Sequence, residues 1–135
     1  MRGLLFALAL TACAAPARAG DRLDALRAFE GCWVGAFAAS EGLRDERCFA
    51  PMQDGRQWRD THAVVGAGYG GETIYAWDAE LGRIDVSYFA SDGALMRGHA
   101  VAARGGLDFP DGRYVGADGI VQRLRSRWRM SAADL

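Results

Sequence analysis

Gly66, Gly68 and Gly71, within AVVGAGYGG at 63–71, are spaced as G-x-G-x-x-G, the turn whose backbone amides cradle a dinucleotide pyrophosphate. That chemistry needs a buried strand before the glycines and a helix after them. Gly71 leads instead into ETIYAWD, where Thr73, Ile74, Tyr75 and Trp77 favour an extended strand and Asp78 opens a turn. Only 64 residues lie beyond Gly71 and none shows helical periodicity, so a set of βαβ units cannot be completed. The glycines are therefore expected to join two antiparallel strands, with neither NAD nor FAD bound.

Other chemistries have thinner support. Asp60 and His62, two apart on one strand, point the same way and form an acid/base pair of a kind that most β-rich sequences contain. There is no G-x-S-x-G elbow and no H-E-x-x-H pair. Cys32 and Cys48 are expected to pair in an exported chain, which removes them as nucleophiles. No Cys-x-x-Cys occurs, and neither His62 nor His99 stands at a zinc-ligand spacing from the cysteines, so no metal site is expected. This is the pattern of a protein that is not an enzyme.

The elements that must position these residues are mainly strands. DRLDALRAFEG carries Leu23, Leu26 and Phe29 at three-residue spacing and reads as a short amphipathic helix ending at Gly31. Beyond it the pattern has period two, broken every eight to twelve residues by turn signals such as SEGL, DG, DAELGR, SDG, RGG, PDG and ADG. Strands are expected at 32–38, 43–50, 57–65, 72–77, 83–90, 95–103, 106–115 and 121–130. In the last, Arg123, Arg125, Arg127 and Arg129 alternate with Leu124, Ser126, Trp128 and Met130, which gives a charged outer face and a largely apolar inner one. Short connections make consecutive strands neighbours, and a meander of about eight twisted strands loses its edges by closing on itself. The expected fold is all-β: an antiparallel up-and-down meander barrel with a short N-terminal helix, one domain over 20–135.

Register then selects the inward residues. A hairpin centred on Ser40 sets Cys32 against Cys48, Trp33 against Arg47 and Gly35 against Asp45, and a turn at Asp54-Gly55 sets Trp58 against Pro51, Asp60 against Phe49 and His62 against Arg47. Trp33, Phe37, Leu43 and Phe49 form the more apolar face and are assigned to the interior, with the cysteines on the wall outside. Asp45, Arg47, Asp60 and His62 then also point inward, provided that no one-residue bulge turns the third strand over.

Gly31-x-Trp33, set just after a short helix and opening the first strand, resembles the G-x-W signature of lipocalins and their calycin relatives. GETIYAWDAELGRIDVSYFASDGA is similar to segments of exported bacterial proteins with lipocalin-like or haem-binding-like barrels. The resemblance covers most of the chain after the N-terminal segment and implies a barrel that carries a small molecule. It departs from those families at its end, SAADL, where no C-terminal helix is present, and this leaves complete closure of the barrel open. It also implies that Arg47 stacks on Trp33 at the closed end and pairs with a carboxylate, the preferred reading of these two residues. Haem is a secondary option, since no residue here can be matched to a proximal His.

The N-terminus gives the compartment. MRGLLFALALTACAAPARAG has an apolar run and an Ala17-Arg18-Ala19 cleavage site, so residues 1–19 read as a signal peptide with export to the periplasm. Leu10-Thr11-Ala12-Cys13 resembles a lipobox and gives an alternative, an outer-membrane lipoprotein anchored through Cys13. Neither segment is long enough to span a membrane. A net charge of −1 gives no electrostatic case for nucleic acid. Two functions remain. The first is a non-catalytic binding protein whose barrel holds a small, partly apolar, amphipathic ligand between Trp33, Phe37, Phe49, Trp58, Tyr75, Trp77, Tyr88 and Trp128, with Arg47 or His62 supplying polarity and no cofactor. The second is a structural or interaction module of the cell envelope with a filled interior and no ligand.

Overall fold

Leu23, Leu26 and Phe29 recur every three residues, the repeat of a 3-10 helix, in which such side chains stack in one row. In the computed structural model, which describes residues 21–37 and 40–130, Asp21–Phe29 forms such a helix rather than an α-helix. All three side chains are buried. The signal segment, Cys13 and the SAADL end lie outside the described residues.

Eight strands come after it: β1 (Gly31–Ala36), β2 (Arg44–Met52), β3 (Gln57–Val65), β4 (Tyr69–Asp78), β5 (Arg83–Ala90), β6 (Leu95–Ala103), β7 (Gly106–Val115) and β8 (Val121–Arg129). They form one antiparallel sheet in chain order, an up-and-down meander. The sheet curls into a half-barrel. Among the described residues β1 pairs only with β2 and β8 only with β7, so the two ends of the sheet do not close on each other.

The 3-10 helix rests in the concavity. Its three apolar side chains join Phe49, Trp58, Tyr75, Ile84, Val86, Ala100, Leu107 and Phe109 in one core. This core occupies alternate positions of β2 to β7, as period-two strands with one covered face require. The register of β1, β2 and β3 matches the turn arithmetic, with Cys32 opposite Cys48, Trp33 opposite Arg47 and His62 opposite Arg47. Register shifts fall instead between His99 and Val101 and between Phe109 and Gly112. The second carries Pro110, whose missing N–H is tolerated in an inner strand only where the ladder is interrupted.

Several strand ends differ from expectation by one to three residues, and two of these bear on the site. β1 stops at Ala36, so Phe37 lies past the strand and is 42% exposed rather than inward. β4 starts at Tyr69 rather than residue 72, so the connection is only the Gly66-Ala67-Gly68 turn, with both glycines at positive φ (96° and 63°). Gly70 and Gly71 belong to the strand, and each is there for space. A Cβ on Gly70 would stand 2.5 Å from the His62 carbonyl oxygen, and one on Gly71 would stand 2.5 Å from the Tyr88 ring.

Candidate functional site

That missing side chain at Gly71 is what builds the polar end of the concave face. Tyr88 sits on β5 opposite Thr73, and its ring crosses over Gly71 to reach His62 on β3. The His62 Nε2 lies 3.0 Å from the Tyr88 hydroxyl, and His62 Nδ1 lies 2.8 Å from Asp45 Oδ1. The Tyr88 and Tyr69 hydroxyls are 2.8 Å apart. The Tyr88 hydroxyl donates to the Tyr69 hydroxyl, and His62, with Nδ1 on the Asp45 carboxylate, presents Nε2 to the Tyr88 oxygen. Burial, together with the hydrogen bond to Tyr69, pushes the Tyr88 phenol well above its ordinary range, so it acts as a donor and not as a phenolate.

Asp45 links this chain to a second one. Arg47 Nε and Nη2 each lie 3.2 Å from Asp45 Oδ2, and Arg47 Nη1 donates to Asp60 Oδ2 at 2.7 Å. Asp60 is fully buried. Desolvation is the largest influence on it and, against the opposing pull of Arg47, pushes its carboxyl up to about 6. The guanidinium lies over the Trp128 ring, 5.1 Å from its centroid, which corrects the expected stacking on Trp33. Trp33 instead donates its indole N–H to the Phe29 carbonyl at 2.8 Å, tying β1 to the end of the 3-10 helix. The curl of the sheet brings Trp128 of β8 back to Arg47 and Phe49 of β2.

Asp60 and His62 share no hydrogen bond. Asp60 is bonded to Arg47, and His62 is held between Asp45 and Tyr88. The face therefore holds one charge network that joins Asp60, Arg47, Asp45, His62 and Tyr88.

The aromatic residues divide. Phe49, Trp58 and Tyr75 are buried in the core, Trp33 and Trp77 lie partly buried against it, and Trp128 meets Phe29, Phe49 and Phe109 with ring centroids 4.7–5.9 Å apart. Trp77 also carries the Arg22 guanidinium 5.0 Å from its ring. A cavity of about 60 Å³ remains between Thr73, Tyr75, Val86, Met96, Phe109 and Leu124. That is room for a few waters or one small group, well below the roughly 300–1,000 Å³ of a drug-sized pocket. Among the described residues the buried Tyr75 hydroxyl, Asp60 Oδ1 and Trp77 Nε1 have no partner at hydrogen-bond distance. Tyr75 lines the cavity itself, and burial together with the nearby Asp60 carboxylate raises its phenol far above the ordinary range.

Cys32 and Cys48 are joined by a disulfide across β1 and β2, on the outer face. Among the described residues there is no group of three or more His, Cys, Asp or Glu that could hold a metal ion, and no helix long and apolar enough to cross a membrane. Sequence reasoning missed Tyr69, Thr73, Met96 and Phe109. Tyr69 was hidden by its place in a glycine run, and the signal that finds it is the pair of side-chain-free positions, 70 and 71, beside it in β4. Comparison with known proteins finds no matching family, no similar curated protein and no similar solved structure.

Proposed function

We propose that the concave face of the half-barrel is a non-catalytic binding site for a small, partly apolar molecule, in a protein exported to the periplasm, where it is either free or tethered through Cys13. The observation that carries this reading is fully buried Tyr75, which lines a cavity and whose hydroxyl, although near Asp60 and Thr73, has no partner at hydrogen-bond distance among the described residues. A buried hydroxyl left unpaired costs on the order of 1–3 kcal/mol, and a ligand that supplies the missing bond removes that cost. The cavity admits only the ligand's small polar end, beside Tyr75 and Thr73. Its apolar remainder lies along Met96, Phe109, Leu124 and Trp128, where the unclosed sheet leaves Leu124 40% exposed. Polarity comes from Tyr75 in this reading, since His62 has both ring nitrogens engaged and Arg47 is held by two carboxylates. The resemblance to lipocalin-like barrels supports the same class of function.

Native mass spectrometry of protein taken from its own periplasm, combined with tryptophan-fluorescence titration with co-purifying compounds, fatty acids and haem, tests it. Saturable binding is expected, weakened about tenfold by Tyr75→Phe, which removes the hydroxyl and keeps the ring. A protein always recovered empty, together with a Tyr75→Phe variant that is merely more stable, defeats the proposal.

A further inference from the structure

We infer that the free edge of β8 docks an extended strand of a partner protein that carries Asp or Glu at alternate positions. β8 pairs with β7 on one side only, among the described residues, and its nine residues contain neither Gly nor Pro. The Ile120 carbonyl accepts from Gly116 and the Met130 amide donates to Gly105, both at 2.9 Å, so the even-numbered residues turn their backbone groups toward β7. By the alternation of an antiparallel ladder, Val121, Arg123, Arg125, Arg127 and Arg129 turn theirs to the open edge. The backbone groups that a docking strand would meet thus belong mainly to arginines, and its residues directly opposite share the arginines' face of the sheet.

The charge on that face is only partly answered within the chain. Arg123 is bonded to Asp111 at 2.9 Å, and Arg129 pairs with Asp108. Arg125 and Arg127 have no carboxylate within 4.0 Å among the described residues. A second copy does not suit this edge, because antiparallel β8–β8 pairing sets arginine against arginine, which destabilises a sheet. The other free edge, β1, is shorter, with six residues of which two are glycine, and its outer-face side chains are Cys32, Val34 and Ala36, with no carboxylate among them. Charged edges protect a sheet from self-association. This one repels its own kind and attracts an acidic strand, whose intervening apolar side chains would meet Leu124 and Trp128 on the inner face. The inference rests on the edge and its charge rather than on ligand binding at Tyr75, although a docked strand and that ligand's apolar part would share Leu124 and Trp128.

The test uses the full chain and a capped seven-residue peptide alternating Glu with Val and Thr. Controls are the same peptide with Lys for Glu and a version N-methylated at alternate amides. Calorimetric titration should show saturable binding of the Glu peptide, no binding of the Lys peptide, and loss of binding on N-methylation. Salt should weaken the complex, since the screening length falls from about 10 Å at 0.1 M to about 3 Å at 1 M. Arg125→Glu/Arg127→Glu, two exposed positions whose fold is checked by circular dichroism, should weaken the Glu peptide about tenfold or more and favour the Lys peptide. The same peptide affinity in Tyr75→Phe separates this edge from the ligand site. Equal binding of the N-methylated peptide, an unchanged affinity in the double variant, no binding at millimolar peptide, or dimerisation through β8 would each overturn it.

Discussion

Asp60→Asn should stabilise this protein at neutral pH, although it removes one partner of a 2.7 Å ion pair. Asp60 is fully buried, Arg47 reaches only one of its oxygens, and Asp45, His62 and Tyr75 are the other titratable groups that act on the site. The net result is a carboxyl raised from its ordinary 3.8 to about 6, so the folded state prefers the protonated form. At 1.36 kcal/mol per pH unit the ionised form costs the folded state about 3 kcal/mol. The sign comes from proton counts. Between pH 4 and 6 the folded chain binds more protons at this position than the unfolded chain does, so its contribution is fully present below about pH 4 and is lost as pH rises through about 6. Asn mimics the neutral carboxyl, with its oxygen toward Arg47 and its amide toward Tyr75. Urea unfolding of both proteins at half-unit steps from pH 3.5 to 7.5 gives the difference directly. The two should agree near pH 3.5, and the variant should lead by about 3 kcal/mol at pH 7.5, less whatever the amide loses in fit. A variant that is less stable at pH 7.5, by an amount constant with pH, would show that the ionised pair stabilises the fold and would refute this account of desolvation.

Three further outcomes test the frame. The Cys32–Cys48 disulfide closes a loop of 16 residues, so the double Ser variant should lose roughly 3 kcal/mol, and unreduced native protein should resist thiol labelling. Gly68→Ala should cost about 1 kcal/mol for its φ of 63° in otherwise open space, whereas Gly71→Ala should cost more, about 2–3 kcal/mol, because its methyl meets the Tyr88 ring and the Phe89 carbonyl; urea midpoints order the two. Leu26→Ala should cost about 2–5 kcal/mol by thermal unfolding, since this fully buried side chain joins the 3-10 helix to the sheet, and a loss under 1 kcal/mol would mean that the helix is not docked there.

Local chemistry made much of this fold legible. The turns at Ser40 and Asp54-Gly55 fix which residues face each other, and two such turns place Asp45, Arg47, Asp60 and His62 on one face without any knowledge of the whole. The three-residue spacing of Leu23, Leu26 and Phe29 marks a buried row, but it fits one stripe of an α-helix as well as a 3-10 helix, and only docking against the core decides between them. Periodicity says which face a side chain takes. It does not say how far a sheet curls, which depends on twist and bulges accumulated over all the strands, and among the described residues β1 and β8 do not pair.

The same distinction explains why the site was half visible. Contacts between adjacent strands come from register, as Arg47 with His62 does. Contacts across the concavity, such as Arg47 over Trp128 and Tyr88 over Gly71 to His62, depend on curvature and on side chains that are absent. Gly71 shows how one residue supports two opposite readings. As the end of a G-x-G-x-x-G run it suggests a ligand's phosphate brought close to backbone; in the sheet it brings a tyrosine close to backbone instead. Both readings need a position with no Cβ, and the partner that fills the space is named by the residue standing across the sheet, not by the spacing of the glycines. Tyr88 takes that space, its hydroxyl completes His62, and His62 holds Asp45 against Arg47. The glycine run thus contributes to the polar end of the concave face by admitting the side chain that orders it.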